Sequence, residues 1–239
     1  MRLINSTARS TPADQASKLQ ELLAVSVWTR SLTLEQRRRI ESETIVRSVP
    51  KGAYICRKGE RVEYWVGVIE GLGKMTNTAA SGKVTTFTGV TTGGWFGEGS
   101  ILKDTHRRYD VIALRDSEIA YMPRATFMWL LDSSIEFNRF LLVQLNERLG
   151  QFIGMVEYDR LLGPDGRVAH CLAALFNPTL APGIRPLIKI SQEEIGHLAG
   201  LSRQRVNHSL KVLDEAGLVR LEYGGITVLN LEGLKKFGE

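Results

Sequence analysis

The sequence predicts an α+β chain in three parts: an N-terminal β-roll of jelly-roll type (a double-stranded β-helix), one long helix, and a C-terminal winged helix-turn-helix. Three observations carry this. From Thr44 to Met122, short runs of Val, Ile, Thr and aromatics are cut by glycine turns at spacings of about 8 to 12 residues. After Pro123 a helical period takes over and persists to about Asp159. Residues 191–217 read SQEEIGHLAGLSRQRVNHSLKVLDEAG, two capped helices joined by a glycine turn.

The bulk composition bounds the function. With 239 residues, 43% hydrophobic and 24% charged, the chain has the makings of one large or two modest cores. The net charge of +5 favours an anionic partner. The opening MRLINSTARSTPADQASKLQ lacks an apolar core of signal-peptide length, and no later apolar run reaches the length of a membrane span. A cytoplasmic protein with no membrane partner is therefore expected. Only Cys56 and Cys171 are present, which argues against a disulfide framework and a cysteine-bound iron–sulfur cluster. No GxSxG, P-loop or metal-ligand spacing appears, so an enzyme is not expected.

In chain order, residues 1–25 read as a polar N-terminal arm and residues 26–132 as the roll, entered through a helix around LTLEQRRRIESE. Arg37, Arg38 and Arg39 in that helix point in different directions, as solvated charges rather than a phosphate site. Residues 133–162 form the long helix. Ile135, Leu142, Leu149 and Val156 at one heptad position, with Asn138, Leu145 and Phe152 at another, give a seam that implies pairing with a second copy. Phe137, Phe140, Leu141, Ile153 and Met155 widen the apolar face toward the roll, and Asn138 is a candidate for setting register. Gly163 and Pro164 break the helix, which puts the boundary of the last domain at residues 163–239.

Within that domain, Ser191 and Glu194 form a capping box, Gly200 ends the first helix, and Ser202 caps the second. Val206, Leu210 and Leu213 face inward. Arg203, Gln204, Asn207, His208 and Lys211 make a polar stripe, and no acid occurs between Leu201 and Lys211. From Arg185 onward there are eight Lys or Arg and seven Asp or Glu, so placement rather than net charge marks the face. Arginine suits guanine and glutamine suits adenine in the major groove, while Arg205 and Lys211 can neutralise phosphates. LVRLEYGGITVLN follows as a hairpin wing. Double-stranded DNA is the expected partner.

The stretch GWFGEGSILKDTHRRYDV brings Glu98 near Arg107 and Arg108 in a glycine-lined loop, a frame able to grip a small polar ligand.

With PKGAYICRKGE, FGE and LSRQRVNHSLKVLDEAGLV in this order, the chain from about Trp28 resembles the Crp/Fnr family of bacterial transcription regulators. The resemblance implies a homodimer on a palindromic site, RNA polymerase as partner if it activates, and a small-molecule effector in the roll. Gly97, Glu98 and Arg108 match the family's cyclic-nucleotide cassette, and an ungapped register anchored on Asp165-Gly166-Arg167 places Phe152 and Ile153 at its purine contacts. Tyr109, Phe152 and Ile153 stand where members that bind cyclic AMP carry hydroxyls. Losing those partners costs roughly 1 to 3 kcal/mol per buried polar group, so an effector other than cyclic AMP is expected, for example an apolar or aromatic acid. The alternatives are a cyclic-AMP-responsive regulator of the same family and a regulatory cyclic-nucleotide-binding module of a signalling protein. No cofactor is expected. Haem has little support, since His106, His170, His197 and His208 lie in loops or in the C-terminal domain.

Overall fold

The computed structural model describes residues 11–82 and 84–238. Of the polar arm expected over residues 1–25, the first ten lie outside the described residues, and the rest is a correction. Helix α1 (Pro12–Val25) opens on a capping box in which Thr11 Oγ1 accepts from Asp14 N at 3.2 Å and Asp14 Oδ2 accepts from Thr11 N at 3.0 Å. Leu19, Leu22 and Leu23, spaced as one helical stripe, are buried. Three leucines suffice to dock a helix whose other faces are polar.

A 3-10 turn (Val27–Thr29) leads to α2 (Leu34–Glu43). The arginine run diverges there as expected: Arg37 donates to Thr29 O at 2.8 Å, Arg38 is exposed, and Arg39 lies over the Trp129 ring at 4.3 Å.

The roll comprises β1 (Ile45–Val49), β2 (Tyr54–Cys56), β3 (Tyr64–Glu70), β4 (Leu72–Thr78), β5 (Val84–Thr91), β6 (Trp95–Phe96), β7 (Asp110–Ala113) and β8 (Ser117–Pro123). They form two antiparallel four-stranded sheets, ordered β1-β8-β3-β6 and β2-β7-β4-β5. Val66, Val68, Met75, Phe96, Val111 and Ile119 fill one core cluster with residues from both sheets. A short helix, α3 (Glu98–Leu102), lies between β6 and β7.

Helix α4 (Arg124–Ser133) leads into α5 (Ile135–Leu161), 27 residues long and capped by Ser134, whose Oγ accepts from Phe137 N at 3.2 Å. The long helix is anchored at its start. Phe137 and Leu141 are buried beside Trp28, Trp65, Trp95 and Phe127, with Trp65 stacked on Trp95 at 4.4 Å. On the other side Ile135, Leu142, Leu149 and Val156 are 67%, 68%, 57% and 47% exposed. The seam is thus solvent-facing in a single chain. Asn138 is not available to set its register, because its amide donates to Leu131 O at 2.5 Å and Ser134 O at 2.9 Å and braces the α4–α5 corner.

Helix α5 ends two residues before α6 (Pro164–Ala174), the break expected at Gly163-Pro164. Then come β9 (Leu187–Ile188), α7 (Gln192–Ala199), α8 (Arg203–Glu215), β10 (Val219–Glu222), β11 (Gly225–Val228) and α9 (Leu231–Lys235). Val168, Leu172, Ile195, Val206, Leu210 and Leu213 belong to another core, which Leu72 and Leu114 of the roll also join. The wing is a three-stranded sheet, β10-β11-β9, one strand more than the hairpin expected.

Candidate functional site

The α7–α8 unit is built by its caps. Ser191 Oγ accepts from Glu194 N at 3.2 Å while Ser191 N donates to Glu194 Oε2 at 2.6 Å. Gly200 sits at φ +66°, the left-handed conformation that ends α7, and Ser202 Oγ accepts from Arg205 N at 3.2 Å to start α8. Val206, Leu210 and Leu213 are at most 1% exposed, as the spacing predicted.

Arg203, Gln204, Arg205, His208 and Lys211 are exposed on α8. Asn207 is half-buried and its Oδ1 accepts from Gln192 Nε2 at 3.0 Å, so it braces α7 against α8. Ser209, not singled out from sequence, donates to Asp165 Oδ1 at 2.6 Å and fixes α8 to α6. Its signal was a lone serine on the otherwise apolar face of α8. Tyr223 stands fully exposed at the wing tip.

In the cassette, Gly97 adopts φ +103° and Glu98 is 2% exposed at the start of α3. The arginine expected beside them was Arg108, and this is corrected. Arg108 is exposed, whereas Arg107 is buried, its Nη2 donating to Tyr64 O at 2.9 Å. A Cβ at Gly97 would meet Arg107 Nη1 at 3.0 Å. The reason is strand alternation: Val111 and Ala113 are buried, and the period of two carries that inward face back through Tyr109 to Arg107. Matching a motif to one of two adjacent arginines cannot see this.

Glu98 is held from the long helix. Arg148 Nε donates to Glu98 Oε1 at 2.8 Å, Trp65 Nε1 donates to Oε2 at 3.3 Å, and Arg148 Nη2 also bonds Trp95 O. Glu98 thus lies in an internal salt bridge to Arg148, while Arg108 faces solvent. Arg148 was missed although it lies one helical turn before Phe152, on the same face. Burial and the nearby Glu98 carboxylate push the Tyr109 phenol up to about 12.

Phe152 packs edge-on against Phe87 of β5 at 6.4 Å between ring centroids. Ile153 is 60% exposed and belongs to the outer face of α5. Phe152 and Ile153 therefore diverge. In the single chain Arg108 and Ile153 both face solvent.

Among the histidines, His106 forms a bridge with Arg61, His170 stacks on Tyr158 at 3.7 Å, and His197 and His208 lie on α7 and α8. Cys56 is buried, and burial pushes its thiol up to about 11. A thiol reagent at pH 8 is expected to modify Cys56 only as fast as the roll opens. Full labelling of the native chain within minutes, followed by peptide mapping, would contradict this.

Among the described residues no helix is long and apolar enough to cross a membrane. Two family models match: a cyclic nucleotide-binding domain over residues 46–134 and a Crp-like helix-turn-helix domain over residues 166–237. A cyclic AMP receptor protein of Thermus thermophilus is 30% identical over 184 residues, covering 76% of this chain and 82% of that one. A cAMP-activated global transcriptional regulator CRP of Haemophilus influenzae is 27% identical over 175 residues, covering 71% and 77%. The fold is shared with FixK2 from Bradyrhizobium japonicum, at TM-score 0.67 and 18% identity over 82% of this chain and 98% of that one. Roll, long helix and winged helix-turn-helix occur here in the order of these relatives, and the chain belongs to the Crp/Fnr family of transcription regulators.

Proposed function

We propose that the protein is a homodimeric, sequence-specific DNA-binding regulator, organised as residues 26–132 for sensing, 133–162 for pairing and 163–239 for reading DNA, and controlled by an effector other than cyclic AMP. The observation that carries the DNA reading is the exposed, acid-free face of α8, with Arg203, Gln204, Arg205, His208 and Lys211 beside a wing. Arg203 and Gln204 read bases, His208 reaches a further edge or phosphate, and Ser202, Arg205 and Lys211 meet the backbone. Asn207 acts by holding α7 in place. If the regulator activates transcription, RNA polymerase is its further partner. Selection from random duplexes tests this: a palindrome should emerge, with half-sites about 34 Å apart. Failure to enrich any sequence would point instead to a regulatory module of a signalling protein.

The exposed α5 seam supports the dimer. Sedimentation should give twice the chain mass, and Leu142→Glu with Leu149→Glu should weaken association by on the order of a hundredfold or more, since each change occurs twice across an isologous interface. A wild-type monomer at micromolar concentration would contradict this.

The effector reading rests on Phe152, which packs on Phe87, and on Ile153. These replace the hydroxyls implied for the purine side of a cyclic AMP site and leave the purine's polar edge without those partners. Gly97, Glu98, Arg107 and Tyr109 frame the candidate pocket, with Arg107 taking the role first given to Arg108. The names of the curated relatives favour a second reading, response to cyclic AMP. Calorimetry decides between them: cyclic AMP is expected to bind no tighter than millimolar and to leave DNA affinity unchanged. Micromolar binding that is lost in Arg107→Ala would establish the second reading.

A further inference from the structure

Three sets of contacts join the roll to the helix-turn-helix domain. Arg115, in the turn between β7 and β8, reaches Glu194 on α7: Nη2 lies 2.8 Å from each carboxylate oxygen and Nε 3.1 Å from Oε1. Both side chains are mostly buried, 29% and 11% exposed. Glu194 is also the capping-box residue of α7, so one carboxylate starts the helix and ties it to the roll. Arg115 is itself steadied, its carbonyl accepting from Ser117 Oγ at 2.8 Å.

The second grip is between backbones. A Cβ on Gly93 would lie 2.6 Å from Gly183 N, and one on Gly94 would lie 2.8 Å from Leu180 O, so the turn before β6 sits directly on the loop that precedes β9. Third, a Cβ on Gly89 of β5 would lie 3.2 Å from Leu175 and 3.3 Å from Leu198. All three contacts fall on α7 and the segment between α6 and β9, while the polar face of α8 stays exposed.

We propose that Arg115 is a positioning residue for DNA binding, which acts through Glu194 to fix the angle at which α8 is presented. Across the two-residue link of Leu162 and Gly163, α5 holds α6 through the Asp159–Arg167 ion pair at 2.8 Å and the Tyr158–His170 stack, both close to the hinge. The dock adds a hold from the roll, farther from the hinge, while leaving the reading face open. In a dimer, the two docks set the separation of the recognition helices. This rests on the DNA-binding reading above.

The test uses the full-length chain and the palindrome recovered by selection, alongside one isolated half-site and the palindrome with one base pair inserted at its centre. Arg115→Ala should lower affinity for the palindrome by on the order of tenfold, leave the half-site affinity unchanged, and erase most of the discrimination against altered spacing. Arg115→Lys should restore part of it, and Gly93→Val should reproduce the effect from the independent backbone contact. Unchanged palindrome affinity and spacing preference in Arg115→Ala would overturn the inference alone. Tighter palindrome binding would overturn it too, by making the dock inhibitory. Wild-type chain that enriches no sequence overturns the DNA reading together with this inference.

Discussion

Arg148→Met is expected to destabilise the roll by about 3–5 kcal/mol. Glu98 is 2% exposed, and its charge is met by Arg148 at 2.8 Å and the Trp65 indole at 3.3 Å. Removing the guanidinium leaves a buried carboxylate with one neutral donor, and the remaining choices are protonation or opening of the cassette. Methionine keeps the aliphatic volume of the arginine stem, so the loss is electrostatic rather than a cavity. Urea unfolding followed by circular dichroism checks it. Adding Glu98→Gln should recover part of the loss, because the unpaired charge is gone. A midpoint unmoved by Arg148→Met would mean that the pair contributes nothing.

Arg203→Ala should cost roughly 1–3 kcal/mol per half-site and relax base preference at one position. A dimer engages both half-sites, so about 2–6 kcal/mol is expected on the palindrome. Arg203 lies in the first turn of α8, exposed and unopposed by any acid from Leu201 to Lys211. Arg205→Ala serves as the contrast: affinity should fall evenly across sequences, with a salt dependence on the palindrome shallower by about two units, one per half-site. If Arg203→Ala weakened every sequence equally, Arg203 would be a phosphate contact.

The helix-turn-helix was legible because each of its signals is local. Caps at Ser191 and Ser202, a glycine needed at φ +66°, and the inward set Val206, Leu210 and Leu213 are all written within one stretch. The cassette was legible only in outline. Which of two adjacent arginines faces inward depends on the pairing of β7 with β4, beyond the reach of a motif match. Arg148 required knowing which turn of α5 lies over Trp95. Strand β9 has two residues, too few for alternation to show, and α1 was hidden by its polar composition.

All four tryptophans, Trp28, Trp65, Trp95 and Trp129, precede the long helix, and three are packed within one aromatic cluster against Phe137. The tryptophan emission of the protein therefore comes from the roll and the helices packed on it. A melt followed by selectively excited tryptophan fluorescence will trace the roll and the root of α5 but be blind to the last 77 residues, whose transition needs another reporter, such as Tyr223→Trp at the wing tip.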